Sequence, residues 1–427
     1  MWTIRMNDTF YSAKKFIVLL SFGLLFIATD ISGQNNTSSL YSYFGLGELN
    51  QGGNAQNAAV GGTNLTFRGS SYLDINSPAS LAGIDSLRFI FNVGLSSKFT
   101  NVNQRGESDT FHDNNISHLT FGFRVSPLVS TAISLVPYTN VGYNISTIEQ
   151  VVGSDEFFTR TLKGTGGLNQ FVWTNGFALT KNLYLGVNTI FLFGNNTSEE
   201  IVALGSGVNT SQQELISQGI FGNIGAQYHA NLSRNWEFSL GAKFQPKVGV
   251  RSKRKLNVTN FQSNVGDTIF KNTLDRGSFD VPMTYGFGLG FTKNKRLWLG
   301  ADYLHERWSK TEIFKESNEL EDRDRYSVGF NYIANDGYAT KFLKKLTYRF
   351  GAFYDTGYIK IEDERITTRG FSFGLGIPMA KQKGAINLSF EFGQMGTTNN
   401  DNVREDFGRL TVELSLFERW FVKRKYQ

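Results

Sequence analysis

Between Asp280 and Glu306 large apolar side chains take every second position. Val281, Met283, Tyr285, Phe287, Leu289 and Phe291 alternate with Thr284, Gly286, Gly288, Gly290 and Thr292. After Asn294-Lys295, Leu297, Leu299, Ala301 and Tyr303 alternate with Trp298, Gly300 and Asp302, and Glu306 closes the run. A period of two predicts strands, because successive side chains leave a strand on opposite faces. The short polar link predicts a hairpin. A sandwich would bury the apolar face. A membrane barrel turns it to lipid and keeps the polar face for its lumen.

The unit recurs. Candidate strands fall at 86–98, 116–126, 131–145, 166–179, 183–195, 214–229, 234–250, 278–293, 296–308, 324–334, 344–358, 366–377, 384–392 and 404–418, which is fourteen. An even number suits a bacterial single-chain barrel. Leu87, Phe89, Phe91, Val93 and Leu95 face away from Arg88, Asn92 and Ser96, and Ile386, Leu388, Phe390 and Phe392 from Asn387, Ser389 and Glu391. Links after even-numbered strands are short (127–130, 180–182, 230–233, 294–295, 378–383), with 335–343 the exception. Links after odd-numbered strands are longer and polar (99–115, 146–165, 196–213, 251–277, 309–323, 393–403). Short periplasmic turns and long extracellular loops are the mark of an outer-membrane barrel. The expected fold is all-β, a transmembrane antiparallel up-and-down barrel of about fourteen strands over residues 86–421.

The start of the chain fits that location. Lys14-Lys15 precede the apolar run from Phe16 to Ala28, and Ser32-Gly33 and a polar stretch from Gln34 follow. This is the pattern of a signal peptide over 1–33, removed on export. The run is shorter than the ~20 residues a spanning helix needs. The chain has no Cys, which excludes a lipid-modified cysteine, a disulfide and thiolate metal ligation. At the other end Phe417, Trp420 and Phe421 suit an interfacial aromatic girdle, and 422–427 form a basic periplasmic tail.

Charge adds little. The formal net charge is +6, and the three cations and two carboxylates of 1–33 leave +5 in the mature chain. Nucleic acid would require clustering on one element; membrane lipid and lipopolysaccharide are the expected partners of a mildly basic surface. The run Arg251-Ser252-Lys253-Arg254-Lys255 is placed in an external loop, as a solvated face or a contact for lipopolysaccharide phosphates. The inward positions carry both signs, Arg88, Arg124, Lys243, Lys247, Arg349 and Arg409 against Glu237, Asp302, Glu306, Asp355, Glu391 and Glu413. A channel favours a lining of one sign, so mixed charges predict a filled lumen. His112, His118, His229 and His305 lack metal-ligand spacing, the glycine runs lack a following Lys-Ser/Thr, and no nucleophile elbow occurs. No enzyme, metal or cofactor is expected.

Residues 34–85 are irregular and rich in Asn, Gly and Ser. Within them Ala59-Val60-Gly61-Gly62-Thr63, then Asn76-Ser77-Pro78-Ala79-Ser80-Leu81-Ala82, with Phe44-Gly45-Leu46-Gly47 upstream, resemble the hatch motif of the FadL-type outer-membrane long-chain fatty-acid transporters. Ser77 separates the Asn and Pro that adjoin in that family. The resemblance implies that 34–85 fold as a plug inside a fourteen-stranded barrel, with Gly61, Gly62, Asn76, Pro78, Ala79 and Leu81 as its motif. The residues agree with that placement. Irregular backbone at membrane depth is tolerated only where protein or water satisfies it, and small residues let it approach the wall. The lumen charges expected around it are Arg88, Arg124, Lys243, Asp302, Arg349 and Glu391. The resemblance implies passive uptake of a hydrophobic ligand. The alternative is a non-enzymatic barrel subunit of an outer-membrane assembly or secretion complex, a scaffold for outer-membrane protein or lipoprotein partners.

Overall fold

A computed structural model describes residues 37–419, apart from 51–52, 87, 206, 263–264, 314–315, 318–319, 335–340, 362, 380–382 and 400–401. The expected signal peptide 1–33, the first residues of the plug, and the end of the chain with Trp420, Phe421 and the tail 422–427 lie outside the described residues.

Fourteen antiparallel strands close into a barrel. In chain order they are β1 (Arg88–Gln104), β2 (Glu107–Arg124), β3 (Val129–Gln150), β4 (Phe157–Ala178), β5 (Leu183–Leu204), β6 (Gly207–Asn231), β7 (Trp236–Gln245 and Val248–Gln262), β8 (Val265–Val281 and Thr284–Lys293), β9 (Leu297–Glu306), β10 (Arg323–Ile333), β11 (Thr347–Asp355), β12 (Thr368–Pro378), β13 (Gly384–Gly396) and β14 (Arg404–Arg419). β7 and β8 are each interrupted once, beside Pro246 and Pro282, which cannot donate to a ladder. β1 pairs with β14 from Arg88–Arg419 to Asn103–Arg404, and this closes the ring. Asn294 and Lys295 adopt positive φ (53° and 55°), the backbone that joins two strands most tightly. Phe287, Leu289 and Phe291 are 58, 52 and 41% exposed on the outer wall, while Gly286, Gly288 and Gly290 are buried against the interior.

The loops expected at 99–115, 146–165, 196–213 and 251–277 are instead largely ladder. β1–β2, β5–β6 and β7–β8 continue pairing to Gln104–Glu107, Leu204–Gly207 and Gln262–Val265, and β3–β4 to Gln150–Phe157. β4 and β5 have 22 residues each, against 10 in β9 and 9 in β11. A span needs only about 9–11 residues. The remainder of β3–β8 stands in water beyond the membrane, where neither face has to be apolar, so no alternation marks it. The basic run 251–255 is accordingly strand. Lys247, expected in the lumen, lies at the break in β7 and pairs with Asp280 at 2.8 Å.

The wall parts between β2 and β3. β2 and β3 pair only from Arg124–Ser130 to Leu119–Leu135. Just above, Pro137 removes a donor and the β3 register slips between Pro137 and Thr139. The chain between residues 37 and 50 fills the space. Ser38 donates N–H and Oγ–H to Asp113 of β2 (3.0 and 2.7 Å). Glu48 and Leu49 pair with Asn140 and Thr139 of β3, and Asn50 N–H donates to Tyr138 O at 2.9 Å.

Candidate functional site: a plugged and capped lumen

The plug runs down the lumen from this wedge to the start of β1. It is built from a 3₁₀ turn (Leu40–Tyr43), a one-turn helix α1 (Ala55–Ala58) and a second 3₁₀ helix (Pro78–Gly83). Asn54 caps α1, its side chain accepting from Asn57 N–H at 2.9 Å. Such short pieces leave many backbone groups without internal partners. At membrane depth those groups must be satisfied by the wall.

Wall carboxylates take the amides. Glu413 accepts from Ala55 N–H (2.9 Å), Asp302 from Asn64 and Leu65 N–H (2.6 and 2.9 Å), Glu405 from Leu40 N–H (2.8 Å) and Asp113 from Ser38. Wall donors take the carbonyls. Arg325 donates to Gly61 O (3.0 Å), Arg124 to Ile84 O (3.1 Å), Gln227 to Leu65 O (2.8 Å) and Asn188 to Ile75 O (2.6 Å). Each is a charge-assisted or buried polar contact in a medium that punishes an unpaired group.

The motif residues lie at the tightest approaches. Gly61 and Gly62 have φ of +69° and +82°, so the backbone reverses where Gly61 N–H donates to Ser372 Oγ at 2.9 Å. A Cβ on Gly351 of β11 would collide with the Val60–Gly61 backbone. Asp74 holds the turn at Asn76, accepting its N–H at 2.9 Å. Pro78 opens the second 3₁₀ helix and lies against Gly225, while Ala79 and Leu81 are buried. Ser77 receives Gln227 Nε2–H at 3.0 Å, so the inserted residue is itself a wall contact.

Of the six lumen charges read from the sequence, Asp302 and Arg124 bind plug backbone, and Arg349 donates to Gln56 Oε1 at 3.0 Å. Arg88 meets Ser71 and, at 3.4 Å, Asp85. Lys243 and Glu391 face the remaining cavity, Glu391 with Arg409 at 3.6 Å. Sequence reading passed over Arg323 and Arg325, although their alternation with Asp324 at the head of β10 marks both as inward. Arg323 binds Glu306 (3.0 Å) and Asp355 (2.5 Å), and Arg325 shares Asp355 (3.2 Å) while its guanidinium lies 4.4 Å from the Phe353 ring centre. Glu48 was also missed. Burial alone would raise its carboxyl, but Lys98 at 2.6 Å and Arg409 at 3.6 Å outweigh burial and hold it at about 2.

The extracellular half of the lumen is filled from above. Trp308, just after β9, and Tyr358, after β11, stack at 4.5 Å and are almost fully buried. Tyr358 OH donates to Gly47 O at 2.7 Å, and Trp308 Nε1–H to Glu306 at 2.8 Å. They join Tyr41, Leu46, Leu192 and Phe279 in one apolar core. Between cap and plug lies a cavity of about 210 Å³, lined by Lys98, Lys243, Asp302, Arg323 and Glu391 among others. A larger apolar hollow of about 970 Å³ is lined by Leu240, Phe287, Leu289, Val328 and Tyr354, exposed side chains of the outer wall.

The sequence model of one protein family, BamG, matches residues 13–427. No curated protein matches the chain. Among solved structures the chain is similar to a Pseudomonas aeruginosa FadL homologue (12% identity over 86% of this chain and 98% of that one, TM-score 0.55). It is also similar to the CymD monoaromatic hydrocarbon channel (12%, 89% and 100%, 0.56) and the P. putida toluene transporter TodX (16%, 87% and 99%, 0.58). At these identities the likeness is one of fold: a FadL-like fourteen-strand barrel with its N-terminal segment inside.

Proposed function

The chain belongs to the BamG family, and on that premise we propose that it is a closed, non-conducting outer-membrane barrel that serves as a scaffold subunit of the barrel-assembly (BAM) complex. In this reading 1–33 are its export signal, 34–85 its plug and 422–427 its periplasmic tail. The observation that carries the proposal is the double closure of the lumen. The plug is bound through its own backbone to Asp302, Glu413 and Arg325, and Trp308–Tyr358 fill the mouth above it. A transporter of apolar compounds needs an apolar chamber, and the described cavity between plug and wall is small, with Lys98, Lys243, Asp302, Arg323 and Glu391 set among Val172, Ile190 and Phe221 on its lining. The test is affinity purification of the full chain from its own envelope in mild detergent. Stoichiometric recovery of a barrel-assembly subunit is expected; a lone barrel would overturn the proposal.

A second reading has one observation in its favour. The fold is that of proteins described as a toluene transporter and a monoaromatic hydrocarbon channel, and among the described residues it is 37–50 that fill the gap between β2 and β3. Withdrawal of that wedge would give an apolar molecule a sideways route. Uptake of labelled toluene or fatty acid into proteoliposomes separates the two: the scaffold gives none above empty vesicles.

A further inference from the structure

The upper segments of β7 and β8 sort their charges by face. Val250 and Phe279 oppose one another and are fully buried in the lumen core, which fixes the inner face of this pair of strands. Counting outward from them, Arg251, Lys253 and Lys255 of β7 point away from the lumen. Arg276 lies directly across from Lys253, and Lys271 across from Asn257, on that same outer face. Two bulges in β8, at Thr268–Phe270 and Thr273–Asp275, reset its alternation. They place Asp275 inside, where it binds Arg254 through two bonds (3.1 and 2.8 Å), and Asp267 inside opposite Asn260. On the outer face of β6, β7 and β8 here the described carboxylates are already paired, Glu214 with Lys255 at 3.0 Å and Asp280 with Lys247 at 2.8 Å. Among the described residues Arg251, Lys253, Lys271 and Arg276 have no ion-pair partner, and Lys253 and Arg276 face each other across the ladder. Like charges directly opposite are unfavourable in a sheet, so this arrangement calls for an outside anion.

Its height says which anion. Just below them stand Ile220 of β6, exposed on the apolar belt, and the Lys247–Asp280 pair at the break in β7, with the exposed Phe244 beneath that break. Gln218, one pleat above Ile220, is opposite Arg251. The cations therefore begin where hydrocarbon ends, on the side of the long hairpins. We propose that this face binds the phosphate groups of an outer-leaflet glycolipid, with Arg251, Lys253 and Arg276 as its principal contacts and Lys271 further out. Arginine supplies bidentate donors to phosphate and lysine a point charge.

The test uses the full chain in neutral detergent, with native mass spectrometry and thermal-shift titration. The probes are bisphosphorylated lipid A, the same glycolipid with its phosphates removed, and inorganic pyrophosphate. The unmodified protein is expected to bind bisphosphorylated lipid A at least tenfold more tightly than the dephosphorylated form, and to lose that preference as salt is raised. Pyrophosphate should compete only at much higher concentration, which assigns the site to lipid-borne phosphate; equal affinity for pyrophosphate would overturn that assignment. The triple substitution R251Q/K253Q/R276Q should weaken binding at least tenfold, and K181Q in a periplasmic turn should leave it unchanged. Binding of the triple variant at the level of the unmodified protein overturns the proposal. If that variant fails to fold, as read by heat-modifiable migration, the phosphate comparison on the unmodified chain still decides, and indifference to phosphate overturns the proposal equally.

Discussion

Arg325, on the wall strand β10, donates to the carbonyl of Gly61 in the plug at 3.0 Å, across 264 residues of sequence. The same guanidinium is held from behind by Asp355 and by the face of Phe353. The wall alone therefore fixes its aim, and the plug's reversal at Gly61-Gly62 presents the carbonyl to it.

Replacing Arg325 by Met removes one end of a buried, charge-assisted network. The loss should be about 3 kcal/mol, since breaking one partner of a buried pair leaves the others uncompensated. The expected result in a planar bilayer is intermittent conductance where the unmodified protein is silent. Combined with Asp302→Asn, which weakens two further plug bonds, the open periods should lengthen.

Trp308→Ala removes the upper half of the closure. Large-to-small replacement of a fully buried aromatic costs about 3–5 kcal/mol. A lower urea midpoint in lipid vesicles is expected, together with protease access to the segment near Gly47, because Tyr358, which donates to the Gly47 carbonyl, loses the ring it stacks on. The plug bonds at Asp302 and Glu413 should persist, so conductance should stay low.

Gly351→Leu tests the approach of plug to wall without touching a charge. Its side chain would occupy the place of Val60 and Gly61. The barrel should still form, as read by heat-modifiable migration, while residues 53–66 become cleavable by protease. Protection equal to that of the unmodified protein would count against the packing described.

Glu48 gives a pH dependence with a definite sign. Its carboxyl is held at about 2 in the folded chain against an ordinary 4.5. A depressed carboxyl contributes stability that is fully present above its unfolded value and is lost as pH falls through the folded one. Hydrogen exchange of residues 37–50 should thus stay slow from pH 7 to about 4.5 and rise as pH drops toward 2. Glu48→Gln should show the faster exchange already at pH 7.

The fourteen strands were legible because lipid imposes a two-residue period on each of them, as at Phe287-Gly288-Leu289. Beyond the membrane that demand ends. In Asn195-Asn196-Thr197-Ser198-Glu199-Glu200 nothing alternates, yet all six residues pair with β6, so sequence reading ended the strand early. The plug motif was read from a family resemblance resting on Gly61-Gly62 and Pro78. The bonds that hold it were not, because Glu413 and Arg325 meet their partners only after the ring closes. The wedge at 37–50 answers to a break at Pro137, about ninety residues away, and nothing local in either stretch announces the other.

That break sets where this wall yields first. Between neighbours such as β4 and β5 or β5 and β6, parting means rupturing a long run of backbone bonds at once. Between β2 and β3 above Leu119 the join is a seam of a few stitches, Ser38 on one side and Glu48 to Asn50 on the other. Any force that widens the ring, from a neighbouring barrel pressing on it or from thinning of the bilayer, will be relieved along that seam before it reaches any other pair of strands.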